Sequence, residues 1–345
     1  MSLRKRAIQT HPYSALTDSA FMQQALDLAR EGIGRCAPNP TVGCVIVKNE
    51  KIIGQARTAN SGRPHAETQA LAKAGDAAKG ASLYVTLEPC AHHGQTPPCV
   101  DAIITAGIAN VIVACTDPYI KVDGNGITQL REAGIEVVTS IGETQAIEIN
   151  RGFFSRVRRL RPWVTLKTAT SSDGFIAKPD GSSKWITSED ARNHGHRVRA
   201  QNDAILTGSG TYLYDQPQLT CRIEGLEDAS PARYVLDRSG KVTESDFTLL
   251  RHDNLQNTLR HLADEGVNYL MVEAGAELSL AFLKEGLIDE LYWYRAPQAL
   301  EQGIEAFHGA YKTIGLDAFK MSETQLGINT LTVYRFTDPQ SLLQS

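Results

Sequence analysis

Two stretches decide the fold: Pro64-His65-Ala66-Glu67, and Tyr84-Val85-Thr86-Leu87-Glu88-Pro89-Cys90-Ala91-His92-His93-Gly94-Gln95-Thr96-Pro97-Pro98-Cys99. One imidazole and two thiols, His65, Cys90 and Cys99, suit a Zn²⁺ site with three protein ligands and an open fourth position. Zinc brings a bound water's pKa close to neutrality, so such a site makes a nucleophile without strong base. Glu67 stands two residues from His65, where a carboxylate can shuttle protons beside that position. Between the cysteines, Ala91 to Pro98 is polar and then rigid, and Pro97-Pro98 limits the backbone just before Cys99. Two blander readings compete. One is a structural zinc site that takes His92 or His93 as fourth ligand; the other is two unrelated thiols and a surface histidine. The catalytic reading is favoured because each ligand falls at the end of an element, and His92 then faces a substrate.

Working outward, the pattern alternates strands and helices. Asp18 is placed to cap a helix through Arg30. Val42 to Val47 and Lys51 to Ala56 read as a hairpin about Asn49-Glu50. Helices are expected over His65 to Ala74, Pro98 to Ala106 and Thr128 to Ala133, and strands over Ser82 to Leu87, Asn110 to Cys115 and Glu136 to Val138. This predicts an α/β sheet covered by helices on both faces, with functional groups at strand ends and helix starts. Asn39, fixed between Pro38 and Pro40, is either a substrate hydrogen-bond donor or a loop asparagine satisfying its own backbone.

A helix from Glu143 runs into Arg156, Arg158, Arg159, Arg161 and Pro162, the expected domain boundary. A short charge run of this kind is usually a solvated helix end or linker, with phosphate binding the alternative. Beyond it, Val164 to Ala169, Asp203 to Thr207, Arg233 to Leu236, Tyr269 to Val272 and Glu290 to Tyr294 read as strands. Ser188 is placed to cap a helix to Ala200, and Leu278 to Lys284 is a further helix. No G-x-G-x-x-G follows a strand, so a standard dinucleotide fingerprint is not indicated. Gly208-Ser209-Gly210 and Glu273-Ala274-Gly275-Ala276 are glycine turns after strands, each either a plain turn or a phosphate-facing helix start. Glu273 is a ligand contact or a helix N-terminal charge. Arg199 and Arg222 are candidate phosphate clamps, with surface arginine the alternative.

The 345 residues favour two domains. Thirty-five basic and 39 acidic residues give a net charge of −4, which argues against a dominant nucleic-acid surface. Six cysteines in a chain of this length do not make a disulfide scaffold, and free Cys90 and Cys99 suit a reducing, cytoplasmic compartment. No apolar run reaches the roughly 20 residues of a membrane helix, and no secretory signal is expected at the start of the chain.

From about Ser19 to Phe336 the chain resembles the bifunctional riboflavin-biosynthesis deaminase-reductases. The matching stretches are Pro38-Asn39-Pro40 to Gly43, Pro64 to Glu67, Tyr84 to Cys99, Ser171-Ser172-Asp173-Gly174, Trp185-Ile186-Thr187-Ser188, Leu219-Thr220-Cys221-Arg222 and Val272-Glu273-Ala274-Gly275. The H-x-E…P-C arrangement is that of zinc nucleobase deaminases in general, and the long loop between the cysteines is the family's own. The resemblance implies a flexible N-terminus over residues 1–16. A zinc-dependent, cytidine-deaminase-like three-layer α/β/α domain would follow over 17–160, and an NADPH-dependent, dihydrofolate-reductase-like α/β domain over 161–345. It implies deamination of a phosphoribosylated diaminopyrimidine, then reduction of the ribosyl group to ribityl. It places Ser183, Arg199, Leu219, Arg222 and Glu273 on the substrate. Ala169, Trp185, Thr211, Asp215, Gly275, Ala276, Glu277 and Leu278 would meet NADPH, and Lys167 would lie near the reacting ribose. A homodimer or higher homo-oligomer through the second domain is also implied. The chain departs from the pattern at Gln216, Ala276, Gln298 and Arg238. Arg238 replaces a small residue, and either grips the 2′-phosphate of NADPH or lies outside the cofactor site.

Overall fold

The computed structural model describes residues 15–92, 94, 96–119, 122, 124–182, 187–313 and 315–343. The flexible start expected over residues 1–16 lies almost wholly outside them. The described residues form two compact units. Those before Ala37, with Pro40–Asn150, make the first; Ala37–Asn39 and those from Arg151 onward make the second.

In the first unit the order is α1 (Ala15–Arg30), β1 (Gly43–Lys48), β2 (Lys51–Arg57), α2 (Ala66–Ala74), β3 (Ser82–Val85), α3 (Cys99–Thr105), β4 (Asn110–Val113), α4 (Asn125–Glu132), β5 (Glu136–Thr139) and α5 (Glu143–Ile149). The sheet runs β2-β1-β3-β4-β5. β1 is antiparallel to β2 and β3, while β3, β4 and β5 are parallel. The hairpin turns at Asn49-Glu50 as expected, both residues having positive φ. Every residue of β3 and β4 is buried, as in a sheet covered on both faces. A Cβ on Gly43 would lie 1.8 Å from the Ala25 carbonyl oxygen, so only glycine lets α1 lie this close to β1.

Asp18 does not cap α1. The helix already begins at Ala15, and Asp18 is a buried acceptor, 2.6 Å from the Tyr84 hydroxyl. A buried phenol needs a partner, and that need fixes this carboxylate.

The second unit continues with α6 (Arg151–Arg159), β6 (Trp163–Thr170), β7 (Phe175–Ala177), α7 (Glu189–Ala200), β8 (Ala204–Gly208), α8 (Ser209–Asp215), β9 (Ala232–Leu236), β10 (Thr248–Leu250), α9 (Leu255–Asp264), β11 (Tyr269–Val272), α10 (Ala276–Lys284), β12 (Glu290–Arg295), β13 (Ile304–Glu305), β14 (Lys320–Leu326) and β15 (Asn329–Arg335). The main sheet runs β10-β9-β8-β11-β6-β12-β15-β14. It is parallel from β10 to β12 and antiparallel beyond. Alternate residues feed two separate cores: Leu206, Leu270 and Leu166 join one, Ile205, Val235 and Met271 the other. β7 and β13 pair separately. Ser188 caps α7 as expected, accepting from the Ala191 N–H.

The arginine cluster is neither a solvated linker nor a free phosphate patch. It lies in and after α6, which groups with the second unit, one helix ahead of the boundary expected at residue 161. Arg159 and Arg161 donate to fully buried Asp289 at 2.7–2.9 Å. Arg156 donates to Asn268 at 2.7 Å, and Arg151 pairs with Glu290 at 3.3 Å. Burial alone would raise the Asp289 pKa; Arg161 and Arg159 outweigh it and hold the carboxyl below its ordinary range. Buried carboxylates require such partners, and these lie far along the chain.

Candidate active sites

In the first unit, His65 is the extended residue capping the start of α2. Buried β3 runs through Thr86 to Pro89 and delivers Cys90, while Cys99 opens α3 behind Pro98. His65 Nδ1 lies 3.3 Å from Cys99 Sγ and 3.6 Å from Cys90 Sγ, and one ligand atom from each of the three residues lies within 4.8 Å of the others. Tetrahedral zinc with bonds of about 2.1 Å to nitrogen and 2.3 Å to sulfur sets N and S about 3.6 Å apart. The donor set therefore fits zinc in both chemistry and spacing. Among the described residues the cluster has three members. His92 is not one of them, and His93 lies outside the described residues.

The Cys99 N–H donates to Cys90 Sγ at 3.3 Å. The Cys99 thiol donates to the same sulfur, which draws the Cys90 pKa down to about 4 and pushes that of Cys99 up. His65 is raised, chiefly by its bond to Cys90. Glu67 is 4% exposed in the first turn of α2 and hydrogen-bonds Cys99. Burial, then the nearby Cys90 charge, pushes its carboxyl above the ordinary range. A carboxyl raised in this way beside a cation site is better able to pick up and release a proton. His92 sits 5.9 Å, ring to ring, from Tyr119, and its buried Nδ1 has no partner among the described residues. Such an atom is left to hydrogen-bond a ligand. Arg63 donates to Thr96 at 2.6 Å and so ties the inter-cysteine loop to the chain just before His65.

The sequence reading missed Glu88. This buried carboxylate accepts the N–H groups of Asp117, Gly124, Gly126 and Ile127 at 2.8–3.3 Å. It thereby starts α4 at Asn125, ahead of the expected Thr128, and anchors the chain two residues before Cys90. A Cβ on Gly126 would lie 2.2 Å from the Pro89 carbonyl oxygen. The signal available was an acid beside Pro89-Cys90, with no local sign of its partners.

Asn39 belongs to the second unit, where its carbonyl accepts from Asn268 Nδ2 at 3.3 Å.

In that unit the structure brings together Lys167 from the middle of β6, Arg199 from the last turn of α7 and Glu273 directly after β11. Glu273 accepts from Arg199 at 2.7 and 3.0 Å and from Lys167 at 3.2 Å. Burial alone would raise its pKa; Lys167 and then Arg199 prevail and hold it at about 2. Arg222 is exposed and donates to Gln218 at 2.7 Å. Burial, then Arg199 and Arg222 together, lower the His196 pKa, so both guanidinia act on one side of α7. The Leu219 side chain lies in the apolar cluster with Ile205 and Val235. Ala169 follows Lys167 on the same face of β6 and pairs with Tyr294. Tyr294, also missed, is wholly buried; its ring faces the Lys167 ammonium at 5.8 Å and its hydroxyl meets His194 at 2.8 Å.

Gly208 and Gly275 stand where parallel strands β8 and β11 pass into α8 and α10. Thr211 Oγ1 accepts from the Gly275 N–H at 3.0 Å, which joins the two helix starts. Ala276, Glu277 and Leu278 form the first turn of α10, whose N–H groups have no acceptor within the helix. A Cβ on Gly275 would lie 3.3 Å from Thr211 Oγ1. The open backbone at this edge fits the phosphates of a dinucleotide. Asp215 closes α8 and is exposed. Ser183 and Trp185 lie outside the described residues.

The model of the cytidine and deoxycytidylate deaminase zinc-binding region matches residues 16–115, and that of the RibD C-terminal domain matches residues 162–311. The riboflavin biosynthesis protein RibD of Aquifex aeolicus is 41% identical over 317 residues, 83% of this chain and 89% of its own length. That of Escherichia coli is 39% identical, over 89% of this chain and 96% of its own. The Acinetobacter baumannii RibD structure superposes with a TM-score of 0.87 at 37% identity, covering 93% of this chain and 99% of that one. The Thermotoga maritima diaminohydroxyphosphoribosylaminopyrimidine deaminase/5-amino-6-(5-phosphoribosylamino)uracil reductase superposes with a TM-score of 0.85 at 32% identity, covering 94% of this chain and 99% of that one. With a deaminase-type zinc cluster in one unit and a reductase domain in the other, the chain belongs to the RibD family of bifunctional riboflavin-biosynthesis enzymes, a hydrolytic deaminase and a reductase in one polypeptide.

Proposed function

We propose that the first unit hydrolyses the exocyclic amine of 2,5-diamino-6-(5-phosphoribosylamino)pyrimidin-4-one, and that the second reduces the ribosyl chain of the resulting 5-amino-6-(5-phosphoribosylamino)uracil with NADPH. The observation that carries this reading is the His65, Cys90 and Cys99 cluster with buried Glu67 against it. His65, Cys90 and Cys99 hold the zinc, which when bound lowers the pKa of water to near neutrality. Glu67 Oε takes one proton as water attacks and delivers it to the ring nitrogen; it then takes the proton of the newly added hydroxyl, which becomes the carbonyl, and delivers it to the departing amine. A C–O bond forms, the C–N bond breaks and ammonia leaves. Burial suits Glu67 to this, because it raises the carboxyl toward working pH. His92 presents its ring to the pyrimidine.

In the second unit, the nicotinamide of NADPH supplies the hydride. Glu273 stays ionised and fixes Lys167 and Arg199; Lys167 orients and polarises the ribose, and Arg199 and Arg222 hold its phosphate. Ser183 and Leu219 complete the substrate contacts. Ala169, Trp185, Thr211, Asp215 and the first turn of α10 from Gly275 to Leu278 hold the cofactor. Free Cys90 and Cys99 suit the cytoplasm. A homo-oligomer through the second unit is supported by the exposed edge strand β14. The test is a single vessel holding the purified chain, zinc, the diaminopyrimidine and NADPH. Ammonia release followed by NADPH oxidation is expected; no ammonia at high enzyme concentration overturns the reading.

A further inference from the structure

β8, β9 and β10 are parallel neighbours, so their carboxyl ends emerge along one edge of the sheet. Gly208 at the end of β8 pairs with Leu236 at the end of β9, and Leu236 pairs with Leu250 at the end of β10. The chain beyond β9 therefore runs beside the glycine start of α8. At such a place a dinucleotide's adenosine ribose is read by what the neighbouring strand offers: an acidic acceptor selects a free 2′-hydroxyl, and a guanidinium selects a 2′-phosphate.

Two residues compete for that role here. Asp237, directly after β9, has the right charge for a 2′-hydroxyl but is wholly buried. Its Oδ2 accepts the Val242 N–H at 2.8 Å and its Oδ1 the Lys241 N–H at 3.1 Å, and the Ser209 hydroxyl donates to it as well. Its acceptors are spent on folding the loop back and tying it to α8. Arg238 follows it, exposed, with no hydrogen bond or ion pair among the described residues. Arg251, directly after β10, is a second exposed guanidinium; one of its nitrogens donates to the Val242 carbonyl at 3.3 Å. The nearby acid Asp246 is paired with Arg233 at 3.0 Å.

We infer that Arg238 is the residue by which this chain selects a 2′-phosphorylated dinucleotide over its unphosphorylated counterpart, with Arg251 adding charge from the adjacent strand. This rests on the cofactor reading above, and it concerns a residue that reading does not use. Asp237 is the positioning residue that turns Arg238 outward.

The test is the dissociation constant of NADPH and of NADH for the zinc-loaded full chain, measured by nicotinamide fluorescence without substrate. Arg238 is exposed, so Arg238→Ala leaves the fold intact. The wild-type chain prefers NADPH. Arg238→Ala weakens NADPH by about tenfold to a hundredfold, the loss of one charge-assisted contact, and leaves NADH unchanged. Arg238→Lys, which keeps the charge but not the fork, falls between. Equal weakening of both dinucleotides, or an undiminished NADPH preference in Arg238→Ala, overturns this inference and leaves the cofactor reading standing. A wild-type chain that binds neither dinucleotide overturns both.

Discussion

Glu67, buried, and Glu273, nearly so, are carboxylates in the candidate active sites, one in each unit, and their surroundings drive them apart. Burial and then the Cys90 charge push the Glu67 pKa up, and His65 offsets them only in part. Glu273 has Lys167 and Arg199 on its two oxygens, and its pKa falls to about 2 despite burial. In the proposed function the same side chain is thus a proton carrier in one unit and a permanent anion in the other. Glu88 is a third case: buried, it accepts four backbone N–H groups and shapes the chain beside Cys90.

The contrast breaks first at Glu67. Glu67→Gln keeps the ligand cluster and loses the proton carrier, so ammonia release falls by roughly 10³-fold with zinc content unchanged. Ammonia assay and metal analysis on one preparation check this. NADPH oxidation on the deaminated pyrimidine is unchanged in that variant. The mirror experiment is Glu273→Gln, which leaves Lys167 and Arg199 without their counter-charge. Reduction falls by about 10²-fold through misplacement of the two cations, with ammonia release intact, as paired stopped assays would read. A smaller effect is expected from Gly126→Ala, whose new methyl presses on the Pro89 carbonyl; competition with a chromogenic chelator should show zinc affinity lowered roughly tenfold.

The smallest effect is on acid stability. The folded pKa of Glu273, about 2, lies below its ordinary value of 4.5. Its ion pairs therefore stabilise the second unit in full above pH 4.5, and that contribution is lost as pH falls toward 2. All three tryptophans, Trp163, Trp185 and Trp293, lie in the stretch from Arg151 onward that belongs to the second unit. Their fluorescence in an acid titration should show Glu273→Gln losing the part of the pH dependence that the wild-type chain has in this window.

The clustering of His65, Cys90 and Cys99 was legible because zinc chemistry asks for these residue types at such places: His65 before a helix, Cys90 after a strand, Cys99 opening a helix. The hairpin at Asn49-Glu50 and the Ser188 cap were legible for the same local reason. Arginines 156 to 161 were not, because Asp289 and Asn268, which hold them, lie over a hundred residues further on. Asp18 was misread because its partner Tyr84 lies 66 residues further on. β14, with six of its seven residues exposed, carries no apolar alternation and was not foreseen; its backbone partner β15 makes it a strand. Lys167 came from the family resemblance alone, while Glu273 stood out as an acid after a strand; the fold sets them 3.2 Å apart.

One progress curve tests the central claim, that a zinc-dependent step in the first unit makes the substrate for the second. The purified chain is given the diaminopyrimidine and NADPH, and ammonia and NADPH are followed together before and after zinc is stripped with a chelator. The account predicts that ammonia leads and NADPH follows, that stripping stops both, and that added deaminated pyrimidine restores NADPH oxidation alone. Continued NADPH oxidation on the diaminopyrimidine after zinc removal would contradict it.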